Sequence, residues 1–134
     1  MRSLGLLISL LVIAIVSFSF VPDYMPYLKP SNARTWEIFN ELNTVRTSKV
    51  YMSERLTKAA QSRLDYACKY HNHIGFKELE LYDSSEDLAW NQDTPRKVIH
   101  DWLNSPPHRR SILNEHYTRV GIATRDQCTV AIFQ

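Results

Sequence analysis

Trp102-Leu103-Asn104-Ser105-Pro106-Pro107-His108-Arg109 marks where one helix has to stop and the next turn start. Upstream of it, Thr94-Pro95 supplies a capping hydroxyl followed by proline at the first helical position, and Val98, Ile99, Trp102 and Leu103 share one side of the helix that follows. Ser105-Pro106-Pro107 ends that helix, because proline has no N–H to donate and drives the residue before it out of the helical region. A short helical turn over 108–113, with Pro107 near its start, is the expected continuation.

Two longer helices precede this stretch. Ser31 or Asn32 caps the first, in which Trp36, Phe39, Leu42 and Val45 recur at helical spacing until the chain turns near 46–49. The second starts at Ser53, and Leu56, Ala60, Leu64, Ala67 and His71 trace one face with side chains small enough for close packing. After the prolines the period changes. Val120, Ile122 and Thr124 alternate, Arg125-Asp126-Gln127 interrupts, and Val130 and Ile132 alternate again, the pattern of an antiparallel hairpin. Helices first and strands last define an α+β domain in which helices cover a small antiparallel sheet.

The chain has 134 residues, 16 Lys+Arg against 14 Asp+Glu, and a formal net charge of +2. That is one small domain without the dense cationic surface that phosphate neutralisation requires, so no nucleic-acid partner is expected. Residues 1–21 run from Met1-Arg2-Ser3 into nearly unbroken Leu, Ile, Val and Phe. They read either as a secretory signal peptide, with Ser17 and Ser19 near a cleavage point, or as an uncleaved N-terminal anchor, the only membrane contact expected. Both place the domain outside the cytoplasm, secreted or held at the membrane. Pro22, Pro26 and Pro30 make 22–31 an extended linker, leaving 32–134 as the folded domain.

Cys68 and Cys128 are the only cysteines. In an exported chain an even count favours a disulfide over two buried thiols, and this bridge would close a loop of about 60 residues. Five histidines in so small a domain raise a metal site, yet no pair has the i, i+4 spacing around a glutamate that marks a helical zinc hydrolase. Spacing alone leaves metal ligation and plain hydrogen-bonded imidazoles equally open.

Several segments, in order, resemble the CAP superfamily of cysteine-rich secretory, antigen-5 and pathogenesis-related proteins, most of all its bacterial branch. They are Asn43-Thr44-Val45-Arg46, Leu56 with Ala59-Ala60, His73-Ile74-Gly75-Phe76, Glu86-Asp87-Leu88-Ala89, the 102–109 stretch, Ile112-Leu113, and Tyr117-Thr118-Arg119-Val120-Gly121-Ile122-Ala123. The resemblance implies a three-layer α-β-α sandwich with a central cleft. Into it the family directs two histidines and two acids, often able to hold zinc or another divalent ion. Carried over, the first histidine is His73. Glu86 takes the glutamate of a Gly-Glu-Asn motif that here reads Ser85-Glu86-Asp87. The second histidine is His108 on the bacterial Ser-Pro-Gly-His-Arg pattern, with Pro107 for glycine, or His116 on the eukaryotic Gly-His-Tyr-Thr-Gln pattern. The second family acid corresponds to Ser105 and is absent.

His73, His108 and His116 are therefore the candidate metal ligands, zinc the candidate ion, and Glu86 a ligand through water or the partner that fixes an imidazole tautomer. The alternative is a cleft network without metal. Trp90, Tyr117 and Arg109 are added as cleft residues, Tyr117 at the start of a strand with its hydroxyl near the opening and Arg109 as a buried structural contact. Two functions follow. One is a binding module whose cleft takes a lipid or sterol, a peptide or a partner protein; the other is a peptidase-like metal-dependent hydrolase with Glu86 as catalytic general base. The missing second acid favours the first.

Overall fold

The computed structural model describes residues 33–134. The leader, the linker and the Ser31 or Asn32 cap lie outside the described residues. Four helices and four strands follow in the order α1 (Ala33–Val45), β1 (Tyr51–Met52), α2 (Glu54–Tyr70), β2 (Ser85–Ala89), α3 (Pro95–Asn104), α4 (Pro106–Ile112), β3 (Arg119–Arg125) and β4 (Cys128–Phe133), with a 3-10 turn at Lys77–Leu79. Both expected caps form: the Ser53 side chain accepts from the Leu56 N–H and that of Thr94 from the Lys97 N–H. Among the described residues no helix is long and apolar enough to cross a membrane.

The strands form one sheet in the order β1-β3-β4-β2. β3 and β4 are the expected hairpin, turning through Asp126 and Gln127, and β2 pairs antiparallel with β4. β1 pairs parallel with β3, so the sheet is mixed where an all-antiparallel one was expected. Two residues carry no alternation to read, and the long connection through α2, β2, α3 and α4 provides the crossover that a parallel pair needs.

The sheet is the middle layer of the sandwich. On one side, α2 lays Leu56, Ala60, Leu64 and Ala67 over Leu88, Ala123, Val130 and Ile132. On the other, Ile38, Leu42, Val98, Ile99, Trp102 and Ile112 of α1, α3 and α4 meet Ala89, Val120, Ile122, Ala131 and Phe133. Successive strand residues point to opposite faces and both faces are covered, so β2, β3 and β4 are buried along almost their whole length.

Three local expectations are corrected. In α1 the core positions are Thr35, Ile38 and Leu42, while Trp36 sits to the side, edge-on to Phe39 at 5.4 Å. His71 is not on the buried face of α2 but ends the helix in the left-handed conformation (φ 53°) and is exposed. Tyr117 precedes β3 rather than starting it.

Two contacts lock the layers. A Cβ on Gly121 would lie 2.0 Å from the Leu56 carbonyl carbon and 2.2 Å from the Thr57 nitrogen, so only glycine lets β3 pass directly under the backbone of α2. Cys68 and Cys128 are bonded, tying α2 to β4 across a sequence separation of 60 residues. A loop of that length stabilises the fold by roughly 4 kcal/mol in the chain-entropy model.

Candidate ligand cleft

β2 is an edge strand, and the candidate residues gather where α2 ends beside it. His71 closes α2 by donating its N–H to the Ala67 carbonyl at 2.8 Å, and the chain doubles back. Asn72 Oδ1 accepts the Ile74 N–H at 3.0 Å, and Gly75 takes φ 90°. The loop thereby folds around Arg63, whose Nη1 donates to the Ile74 carbonyl at 2.8 Å. A side chain at Gly75 would meet that same nitrogen at 2.9 Å.

Arg63 also reaches β2. Its Nε donates to Glu86 Oε2 at 2.7 Å and its Nη2 to Oε1 at 3.2 Å, with the two side chains 6% and 0% exposed. His73, half exposed at the end of the same loop, brings Nδ1 to 3.0 Å from Glu86 Oε1. Burial pushes the Glu86 carboxyl up, but the hydrogen bonds from His73 and Arg63 and the guanidinium charge outweigh it and hold the group below its ordinary range. Glu86 is thus a fixed anion with both oxygens engaged.

The next residue points through the other face of the sheet. Asp87 is buried against α4, where burial drives its carboxyl up to about 7, only partly offset by a hydrogen bond from Ser111 and the charge of His73. Its Oδ2 has no hydrogen-bond partner. Ser111 is also hydrogen-bonded to the Ser85 hydroxyl. From the same helix His108 faces the opening, half-buried, its imidazole held below the ordinary range by burial and then by the charge on His73.

Beyond β2 the chain emerges at Trp90, whose indole stacks on the His71 ring at 4.5 Å and 7°. It rims a cavity of about 280 Å³ lined also by Leu88, Gln92, Asp101, Ser105 and His108. Trp102 forms the wall toward the core, 1% exposed, with Nε1 donating to the Leu88 carbonyl at 3.0 Å.

The structure therefore assembles His73, Glu86, His108 and Trp90 along one strand edge and leaves three candidates elsewhere. Tyr117 packs on Phe133 at 6.2 Å and belongs to the larger core. Arg109, expected buried, is exposed on the outer side of α4, its Nη1 reaching the Leu103 carbonyl at 3.4 Å. His116 is exposed in the loop after α4. That loop is tied down at the far end of α4 by buried Arg46, which donates to the carbonyls of Ile112, Asn114 and Tyr117. Sequence reasoning missed Arg63, Arg46 and Asp87. Arg63 had a signal: it falls inside the apolar stripe of α2, between Ala60 and Leu64.

Zinc does not fit what is gathered here. Three protein ligands are the usual minimum for a catalytic ion. Among the described residues no group of three or more His, Cys, Asp or Glu side chains is placed to hold one. His108 lines the cavity at Trp90 and His73 stands on Glu86, where a cation would have to displace the guanidinium and has no third imidazole.

A three-layer α-β-α sandwich with a His/Glu cleft at the sheet edge defines a CAP-type, or SCP-like, domain. The family model of the cysteine-rich secretory proteins matches residues 39–130, and the chain belongs to that family. A 39-residue stretch is 41% identical to the uncharacterized protein YkwD of Bacillus subtilis (strain 168), covering 29% of this chain and 15% of that protein. Among solved structures, the fold is similar to a cysteine-rich secretory protein from Staphylococcus aureus subsp. aureus Mu50, with TM-score 0.68, 17% identity, and 75% and 38% of the two chains covered. It is also similar to an extracellular protein containing an SCP domain from Bacillus anthracis str. Ames (TM-score 0.67, 19% identity, 75% and 39% covered). A third is an outer surface protein from Borrelia burgdorferi (TM-score 0.61, 21% identity, 72% and 87% covered). The chain thus spans well under half of the first two structures and a small part of YkwD.

Proposed function

We propose that this is an exported binding domain, secreted or held at a membrane by its leader, whose cleft beside β2 captures a ligand without turning it over. The observation that carries this reading is the state of Glu86. A general base needs a carboxylate oxygen free to take a proton and a pKa near the working pH. Both oxygens of Glu86 are already occupied by Arg63 and His73, and the carboxyl is held below its ordinary range. Its role is to position the 71–76 loop and the His73 imidazole. The opening beside it has a few polar groups set in a mainly apolar wall, the usual make-up of a ligand site. The extracellular and outer-surface descriptions of two structural neighbours agree with the apolar leader in supporting a site of action outside the cytoplasm.

The test has two readouts on the same samples. Amide and indole shifts of the ¹⁵N-labelled chain are followed with sodium laurate, trialanine and chitotriose, and each probe is then analysed by mass spectrometry after long incubation. Shifts at Trp90, Ser105 and His108 with the probe recovered intact are expected. Product formation that falls ~10²-fold or more in Glu86→Gln would move the assignment to a hydrolase.

A further inference from the structure

The cavity at Trp90 is small. At about 280 Å³ it lies below the range that takes drug-sized ligands, and its size suits one ring. A lipid tail needs a long apolar channel, and here the wall carries the Asp101 carboxylate. An extended peptide pairs with strand-edge carbonyls, and the Leu88 carbonyl of β2 already accepts from Trp102.

The polar and apolar parts of the wall are arranged in a particular way. Trp90 is 36% exposed and is backed by the His71 ring, so its indole is a fixed platform at the rim. The negative face of an indole attracts the weakly positive C–H face of a sugar ring. Beside it, Gln92 Nε2 donates to Asp101 Oδ2 at 3.0 Å, which orients the amide and leaves Gln92 Oε1 buried without a partner, while Asp101 Oδ1 lies 3.3 Å from His100 Nδ1 and the carboxylate, 39% exposed, keeps lone pairs open to a ligand. The Gln92 backbone is itself held by Arg34, whose Nη2 donates to the Gln92 carbonyl at 2.6 Å and Nη1 to the Asp93 carbonyl at 3.1 Å. Across the cavity Ser105 has a hydroxyl that makes no capping bond to α4, and His108 adds a ring nitrogen. An amide, a carboxylate, a hydroxyl and an imidazole around an aromatic face match the adjacent hydroxyls and C–H face of a pyranose.

We infer that this cavity is a saccharide subsite taking one neutral ring of a glycan, with Trp90 as stacking platform and Asp101, oriented by Gln92, as hydroxyl acceptor. The assignment rests on the binding reading above and narrows its ligand class.

The experiment titrates the ¹⁵N-labelled full chain with chitotriose and with cellotriose to ~20 mM, well above the ~1 mM dissociation constant of a modest single-ring site, and with sodium laurate as comparator. Saturable shifts of the Trp90 indole N–H and the Gln92 side-chain amide with either trisaccharide are expected. Trp90→Ala and Asp101→Asn, both at positions outside the packed core, should each weaken binding at least tenfold with an unchanged backbone spectrum. No saturable shift with either sugar overturns the subsite, as does a shift that both variants retain. If laurate alone then shifts cavity residues, the binding domain stands and only the sugar assignment falls; if no probe does, both fall.

Discussion

Arg63 and Glu86 face each other across the α2–β2 contact with both carboxylate oxygens inside the guanidinium fork, at 2.7 and 3.2 Å, and neither side chain reaches solvent to any extent. Removing one member strands the other. Arg63→Ala should cost about 3–5 kcal/mol, the range for an uncompensated buried charge, and should release the 71–76 loop as well. Chemical denaturation of the variant, alone and combined with Glu86→Leu, checks this; the double variant should recover part of the loss.

Stability should fall as pH rises toward neutrality. The folded-state carboxyl of Asp87 sits at about 7 against an ordinary 3.8, so the native state keeps a proton that the unfolded chain gives up. The contribution is fully present below pH 3.8, is lost as pH climbs through 7, and is of order 4 kcal/mol at most. Glu86 works in the opposite sense, its lowered value adding stability above the ordinary carboxylate range and losing it in stronger acid. Melting temperature against pH should therefore peak in the mildly acidic range. Asp87→Asn should flatten the decline between about pH 5 and pH 7; an unaltered slope would remove Asp87 as its source.

Reduction of the Cys68–Cys128 bond, or its replacement by two alanines, should lower stability by roughly 4 kcal/mol while leaving the secondary structure recognisable. Urea midpoints with and without reductant give the number directly.

Gly121→Ala is expected to be more damaging than its single methyl suggests. The added carbon would have to displace backbone atoms of α2 rather than a side chain, and a loss of about 3 kcal/mol or failure to fold is the expected result. A variant as stable as the parent would mean that α2 lifts off β3 freely.

Zinc at low micromolar concentration should not raise the melting temperature. Whatever weak binding appears at higher concentration should be lost in His73→Ala and His108→Ala and be indifferent to His116→Ala, as calorimetry on the three variants will report. Tight binding that needs His116 would contradict the placement of its loop.

Much of the architecture was legible because it is written in periods and punctuation. The caps at Ser53 and Thr94, the Pro106-Pro107 break, the alternation from Val120 to Ile132 and the cysteine pair each carry a local physical signal that tertiary context did not override. β2 carries none: Ser85-Glu86-Asp87-Leu88-Ala89 has weak strand propensity and two acids, and is extended only because both its faces are covered and β4 pairs with it. The site was legible in part for the same reason. His73, Glu86 and His108 could be named from motif order, and Trp90 from being a tryptophan in an expected loop. Arg63 carried only its place inside the apolar stripe of α2, and a lone charge there does not identify its partner until β2 is placed beside it. Arg109 was misread the other way, because a position kept within a pattern says nothing of which side of a seven-residue helix it occupies.

Trp102 gives the cavity a floor that is also a piece of the interior, pinned by its indole to β2. Deepening or reshaping that floor would dismantle the packing of α3 on the sheet, so it is closed to gradual change. The rim is different: Trp90, Gln92 and Asp101 hang on a loop and an outer helix face that the interior does not need. Descendants of this fold are thus free to exchange what they recognise by rewriting three rim positions, while the scaffold beneath is inherited unaltered.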